Sequence, residues 1–242
     1  MITYRLLSRT GGRTDNEDYV NARELGDRCC FVAADGLGGH QKGEVASRAA
    51  AEQILSEFAA VKEVSAKSIR QCMEAGQQAL MELKRELGHR DGMKTTMAVL
   101  MMDRKKAVWA HVGDTRIYVF RKGKLLARTK DHSVPQMLVE AGELTEDQIR
   151  GHYARNQLLQ VMGVPWDGPQ YTVAEPLPLK KGQAYLLCTD GFWELVEEEE
   201  MLACLQSSKN PSVWLSKMEK LLLGRGRPEE MDNYSAIGIY VG

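Results

Sequence analysis

Cys30-Phe31-Val32-Ala33-Ala34-Asp35-Gly36-Leu37-Gly38-Gly39-His40 is the stretch around which the chain is organised. An apolar run delivers one carboxylate and then a cluster of glycines, which let a backbone turn sharply and let other groups approach it closely. A strand that ends this way presents Asp35. Just upstream, residues 18–25 and 29–34 read as strands around Leu25-Gly26-Asp27-Arg28, a hairpin signal. In an antiparallel hairpin the start of the first strand lies beside the end of the second, so Glu17 and Asp18 are expected near Asp35.

Downstream, residues 41–60 and 66–88 carry apolar side chains at helical spacing. Strand patterns then follow at 95–102, 107–113, 116–121 and 124–129 with short turns between them. Strand after strand means a meander, not alternating βαβ units. Residues 131–168 break the rhythm with Pro135, Gly142, a short helical stretch from Thr145 and Gly163-Val164-Pro165. A long insert of this kind is either a functional flap or a plain surface connection. Strands resume near 170–175 and 184–188, the second ending Cys188-Thr189-Asp190-Gly191 and so repeating the apolar strand, Asp, Gly pattern. Glu197 to Glu200 suit the positive end of a helix dipole. Asn210-Pro211 reads as N-cap and N1 of a helix that stops at Gly224, and Asp232-Asn233 opens a last strand, Tyr234 to Val241.

With 242 residues, 43% hydrophobic, 27% charged and a formal net charge of −1, the chain suits one large globular domain. It offers no general attraction to nucleic acid or to an anionic membrane. No apolar stretch approaches the roughly 20 residues that span a bilayer, so no membrane insertion is expected and the localisation is read as cytoplasmic. The five cysteines form no Cys-x-x-Cys pair, and the five histidines are too scattered for a zinc pattern. Any metal site must therefore be made of oxygen.

Asp35 and Asp190 end strands, whereas Glu17, Asp18 and Asp232 begin them, and such positions can share one edge of antiparallel sheets. Two like charges about 4 Å apart repel by roughly 4 kcal/mol at an effective dielectric near 20. Gathered carboxylates would shift their pKa values upward or pull the edge apart. Divalent cations remove the conflict, and all-oxygen ligation favours Mg²⁺ or Mn²⁺. An isolated Asp-Gly is usually a turn; the joint appearance of these acids is what suggests a metal site.

Gly12-Arg13-Thr14-Asp15-Asn16-Glu17-Asp18, Ala33 to His40, His111-Val112-Gly113-Asp114-Thr115-Arg116, Asp131-His132-Ser133, Thr189-Asp190-Gly191 and Asp232-Asn233-Tyr234-Ser235 resemble, in order, the motifs of the metal-dependent PP2C-type (PPM) serine/threonine phosphatases. The resemblance runs from about residue 8 to 240. It is similar to the stand-alone bacterial branch, which includes the phosphatase opposing a threonine kinase in type VI secretion.

The resemblance implies an α+β, four-layer αββα sandwich, two central antiparallel β-sheets flanked by helices, with residues 1–242 as a single domain and a flap at about 131–168. It implies two core Mn²⁺ or Mg²⁺ ions and a third. Asp35 would bridge the core pair. Asp190 and Asp232 would complete one ion, Glu17 and the Gly36 carbonyl would hold the other, and Asp18 would act through water. Asp114 would serve the third ion together with Asp190, although a plain turn residue is the other reading. Arg13 would clamp the phosphate. The implied reaction is attack of a metal-bridging water or hydroxide on phosphoserine or phosphothreonine in a protein, reversing a Ser/Thr kinase in bacterial signalling.

The chain departs from the family at three places. Leu37 stands where some eukaryotic relatives carry a histidine general acid, and His40 reads as structural. Lys94-Thr95-Thr96 replaces Gly-Thr-Thr, and the region of Arg155-Asn156 diverges. Among rival chemistries, no cysteine has Arg six residues on, and the Gly36–Gly43 region fits neither nucleotide-loop pattern. Another two-metal phosphoester hydrolase, or a phosphoprotein-binding module that lost catalysis, are the remaining readings.

Overall fold

A computed structural model describes residues 1–38, 42–88 and 92–242, and twelve strands and six α-helices fall among the described residues. His40 lies outside them. In chain order come β1 (Ile2–Arg9), β2 (Asp18–Leu25), β3 (Arg28–Leu37), α1 (Lys42–Phe58), α2 (Ala66–Glu86), β4 (Lys94–Thr95), β5 (Met97–Met102), β6 (Lys106–Val112), β7 (Arg116–Arg121) and β8 (Lys124–Arg128). There follow α3 (Val134–Glu140), a 3₁₀ turn (Glu146–Gln148), β9 (Thr172–Val173), β10 (Leu177–Pro178), β11 (Gln183–Cys188), α4 (Asp190–Trp193), α5 (Glu198–Gln206), α6 (Pro211–Arg225) and β12 (Tyr234–Val241).

Two antiparallel sheets form, β1-β12-β11-β7-β8 and β10-β6-β5-β3-β2, with β4 added to β3 and β9 to β6. Side-chain alternation along the strands divides the interior into three layers. Cys30, Val32 and Ala34 of β3 join Met97, Val99 and Met101 of β5 against Ala50, Ile54 and Met73 of α1 and α2. Their neighbours Cys29, Phe31 and Ala33 face the other way and meet Tyr185, Leu187, Ile237 and Ile239 of the second sheet. That sheet's outer face, through Phe120, Leu186 and Ala236, packs on Trp193, Trp214 and Met218 of α4 and α6. Strands buried on both faces read as continuous apolar runs. The expected αββα order is therefore present, and all five cysteines are buried thiols.

The hairpin forms as expected, with Asp18 opposite Asp35 in register. β1, α3, α4 and β10 are not among the expected elements. Thr145 does cap a helical turn, but it is a three-residue 3₁₀ segment. Asn210 caps α6, its Oδ1 accepting the Val213 N–H at 2.9 Å. The expected stop at Gly224 is wrong: nothing crowds that residue, and the helix ends where Gly226 leaves helical geometry. Arg225 holds that last turn by donating to the Leu195 carbonyl and the Glu200 carboxylate. No helix among the described residues is long and apolar enough to cross a membrane.

Candidate active site

Strand direction brings the acids together. β2 and β12 start, and β3 and β11 end, at the same end of the sandwich, where the Gly113-Asp114 turn between β6 and β7 also lies. A cleft of about 380 Å³ there is lined by Arg13, Glu17, Asp35, Gly36, Asp114, Asp190 and Asp232, together with Asn156 and Leu158 from the 131–168 segment. Asp18 is not on the cleft wall. It is buried beneath, with Thr189 donating to its Oδ2 at 2.8 Å.

The backbone around Asp35 is held by two threonines. Thr96 Oγ1 accepts the Asp35 N–H at 2.9 Å, while the Thr96 N–H and the Thr95 hydroxyl both donate to the Asp35 carbonyl, at 2.9 and 2.8 Å. Gly36 donates its N–H to the Glu17 carbonyl at 3.1 Å. A Cβ on Gly36 would stand 2.2 Å from the Gly43 carbonyl oxygen, so this strand end can pass α1 only as glycine. The Gly43 N–H at the start of α1 in turn supports the Glu17 carboxylate. On the opposite wall, Asn233 Oδ1 accepts the Glu17 N–H at 2.8 Å, and its amide donates to the carbonyls of Thr10 and Asp15 at 2.8 and 2.9 Å. Asn233 thereby stitches the Arg13 loop to the start of β12. Asp190 begins α4, and Arg13 donates to Asp232 at 2.8 Å with both side chains well exposed.

Burial, followed by mutual repulsion, dominates the electrostatics. Asp35 is raised well above the ordinary carboxylate range by burial and then by Asp190, Asp18, Asp114 and Asp232. Asp190 is raised likewise by burial, then by Asp114, Glu194, Asp232 and Asp18. Burial pushes Asp18 up to about 7 against the hydrogen bonds from Thr189 and Ser235. Asp114 also rises to about 7, by burial and then Asp131, with Arg116 opposing. Glu17 is raised by burial, partly offset by Gly43. One oxygen of Asp18 and one of Asp114 are buried without a hydrogen-bond donor.

Among the described residues, no three His, Cys, Asp or Glu side chains stand as a ready-made ion cage. The carboxylates share a cleft rather than a point, as like charges must. Hard divalent cations suit this donor set: it is all oxygen, carries several negative charges and leaves buried acceptors unpaired.

An acid-lined cleft at the end of a helix-flanked double sheet is suited to divalent cations, and the chain's relatives define its class. The protein phosphatase 2C family model matches residues 8–225, and the chain belongs to that family. It is 32% identical over 209 residues to the serine/threonine phosphatase stp of Listeria monocytogenes, covering 83% of this chain and 81% of the relative. The catalytic domain of serine/threonine protein phosphatase PstP in complex with two manganese ions superposes with a TM-score of 0.81 at 26% identity, over 99% of this chain and 97% of that one. PppA, a regulatory component of the T6SS in Pseudomonas aeruginosa, gives 0.78 at 26% identity, over 99% and 97%.

Thr95, Thr96, Thr189 and Asn233 are the supporting residues that motif reading passed over. All four lie within or beside quoted motifs, but a hydroxyl or amide that orients a neighbour has no spacing signature.

Proposed function

We propose that the cleft hydrolyses phosphoserine and phosphothreonine monoesters on proteins with the help of divalent cations. The observation that carries this is the convergence of buried, mutually repelling carboxylates, two with orphaned oxygens, in a chain of the protein phosphatase 2C family. Asp35, Glu17, the Gly36 carbonyl, Asp190 and Asp232 would hold a core pair of Mn²⁺ or Mg²⁺ ions. Asp18 would contribute through water from beneath, and Asp114 with Asp190 would hold a third ion. Bound there, such ions supply a water of lowered pKa and neutralise phosphate charge.

The chain's own groups orient the substrate. Arg13 stands at the mouth with a planar fork suited to two phosphate oxygens, which Lys would not reproduce. Its bond to Asp232 fixes the guanidinium before substrate arrives. Leu37 lines the cleft and can donate no proton, so protonation of the leaving alkoxide would fall to metal-bound water or another group. Asn156 and Leu158 bring the 131–168 segment to the rim, which supports reading it as a substrate-selecting flap.

A phosphatase of this kind would oppose a Ser/Thr kinase, and we place that cycle in the cytoplasm. The similarity to PppA supports a part in secretion control. The test is phosphate release from a phosphothreonine peptide by metal-stripped protein. Turnover should appear on adding Mn²⁺ and should be far weaker on the matching phosphotyrosine peptide. No Mn²⁺-dependent release at any pH between 6 and 9 would refute the proposal.

A further inference from the structure

His132 is fastened to the turn that carries Asp114 through both the N–H and the carbonyl of Gly113. Its backbone N–H donates to the Gly113 carbonyl at 2.9 Å, and the Gly113 N–H donates to its ring Nδ1 at 3.2 Å. Gly113 has a φ of +88°, a left-handed conformation just past the last β5–β6 pair at Val112, which leaves its amide groups outside that ladder, and His132 is what they meet. An amide N–H can only donate, so Nδ1 is the bare nitrogen and the proton sits on Nε2. Nε2 then donates to Thr172 Oγ1 at 3.0 Å, and the ring stacks on His111 at 4.6 Å.

The same residue grips the far limb of the flap. The His132 carbonyl accepts the Leu159 N–H at 2.8 Å, and Val134 donates to Gln157 at 2.9 Å. Between these two bonds lies Leu158, which lines the cleft. One imidazole and its own peptide thus join the turn that carries Asp114 to the limb that borders the substrate.

We propose that His132 is a positioning residue: through the Gly113 peptide it aims Asp114 into the cleft and couples that carboxylate to residues 157–159. This rests on reading Asp114 as a ligand of a divalent cation. Partners one step outside a metal's ligands typically change affinity or activity by about 10–100-fold when lost.

Two near-isosteric variants separate the ring atoms. His132→Asn puts an amide oxygen near the Nδ1 position and keeps an acceptor for Gly113. His132→Gln reaches instead toward Thr172 and leaves the Gly113 N–H unpaired. Mn²⁺ binding to the metal-stripped protein is measured by calorimetry for the parent, both variants and Asp114→Ala, with thermal melts to establish folding. The expected result is that Asp114→Ala abolishes the weakest binding event, His132→Gln weakens the same event by about tenfold or more, and His132→Asn stays closer to the parent. Parent-like binding by His132→Gln beside a deficient Asp114→Ala overturns the positioning role, as does equal weakening by Asn and Gln. Unchanged binding by Asp114→Ala overturns the ligand assignment of Asp114 and the proposal with it.

Discussion

Arg13 and Asp232 face each other across the cleft mouth, exposed by 59% and 43%. An exposed pair of this kind contributes at most about 1 kcal/mol to stability, so a structural role alone cannot account for Arg13. Its removal should act on substrate. Arg13→Ala is expected to raise KM for a phosphothreonine peptide and lower kcat/KM by roughly 10–100-fold, about 1.4–2.7 kcal/mol at tenfold per 1.36 kcal/mol, with calorimetric Mn²⁺ affinity unchanged. Lost Mn²⁺ affinity would assign Arg13 to shaping Asp232 instead. Residues such as Asp35, Asp190 and Asp232 were legible because each lies at or near the end or the start of an apolar strand, a position that sequence displays. Asp18 was legible as a neighbour of Asp35 through the hairpin register, but its burial beneath the cleft depends on Thr189, 171 residues away.

At the scale of elements, β4 is the piece that holds the end of β3. Its Lys94-Thr95 pairs with Leu37 and Gly36, while Thr95 also bridges to Met162 near the end of the 131–168 segment. On the outer side, Gln77 and Lys84 of α2 bond Gly163 and Val164 of the same turn, at 2.5–2.8 Å. Thr96 completes the junction by accepting from Asp35 and pairing with Thr115 at 2.6 Å. Thr96→Val keeps the shape and leaves the Asp35 N–H unpaired in a buried place. The expected cost is about 1–3 kcal/mol, read as a lower urea midpoint at unchanged m-value, together with reduced Mn²⁺-dependent turnover. Parent stability would mean that the Thr95 hydroxyl and the Thr96 backbone N–H, both donating to the Asp35 carbonyl, suffice. Lys94-Thr95-Thr96 looked like an imperfect motif in sequence; in space it is the brace of Asp35. Elements bounded by clear turn signals, such as β7 between Gly113-Asp114 and Lys122-Gly123 and β12 after Asp232-Asn233, were readable to the residue. The short α3 and α4, at seven and four residues, have too few turns to show a period and form because Ser133 caps one and packing of Phe192 and Trp193 secures the other.

For the whole molecule, the cleft sets a charge burden that pH and cations both control. Asp18 and Asp114 have folded pKa values near 7 against 3.8 when free, so the folded state binds more protons between about pH 4 and 7 and stability falls as pH rises through that window. His132 works in the opposite sense. Burial and the neighbouring His111 bring it from 6.5 down to about 3, so the unfolded chain takes the proton first and stability rises with pH up to about 6.5. Above that point the carboxylates act alone, with Asp35 and Asp190 shifted in the same direction. Metal-stripped protein is therefore expected to melt at a lower temperature at pH 8 than at pH 6.5, at roughly 2–4 °C per kcal/mol for a chain of this size. Added Mn²⁺ should raise the melting temperature more at pH 8, where protons no longer compete for the carboxylates. A flat or rising profile in the metal-stripped protein would contradict the buried-charge picture. The strand-rich meander spoke against alternating βαβ units, and the layered αββα order was legible through the family resemblance. Which strand neighbours which was not, since β12 inserts between β1 and β11 through contacts that span nearly the whole chain.

The decisive measurement is the Mn²⁺ dependence of phosphate release from a phosphothreonine peptide by the parent and by Asp190→Asn, each stripped of metal and titrated back. Asp190→Asn relieves repulsion on Asp35 and should fold at least as stably as the parent without metal. Its Mn²⁺-saturated turnover should nevertheless fall by more than the roughly 10–100-fold typical of losing a partner one step further out. Parent-like turnover by Asp190→Asn, or release by the parent that ignores Mn²⁺, would show that the acid cluster is not where the phosphate is hydrolysed.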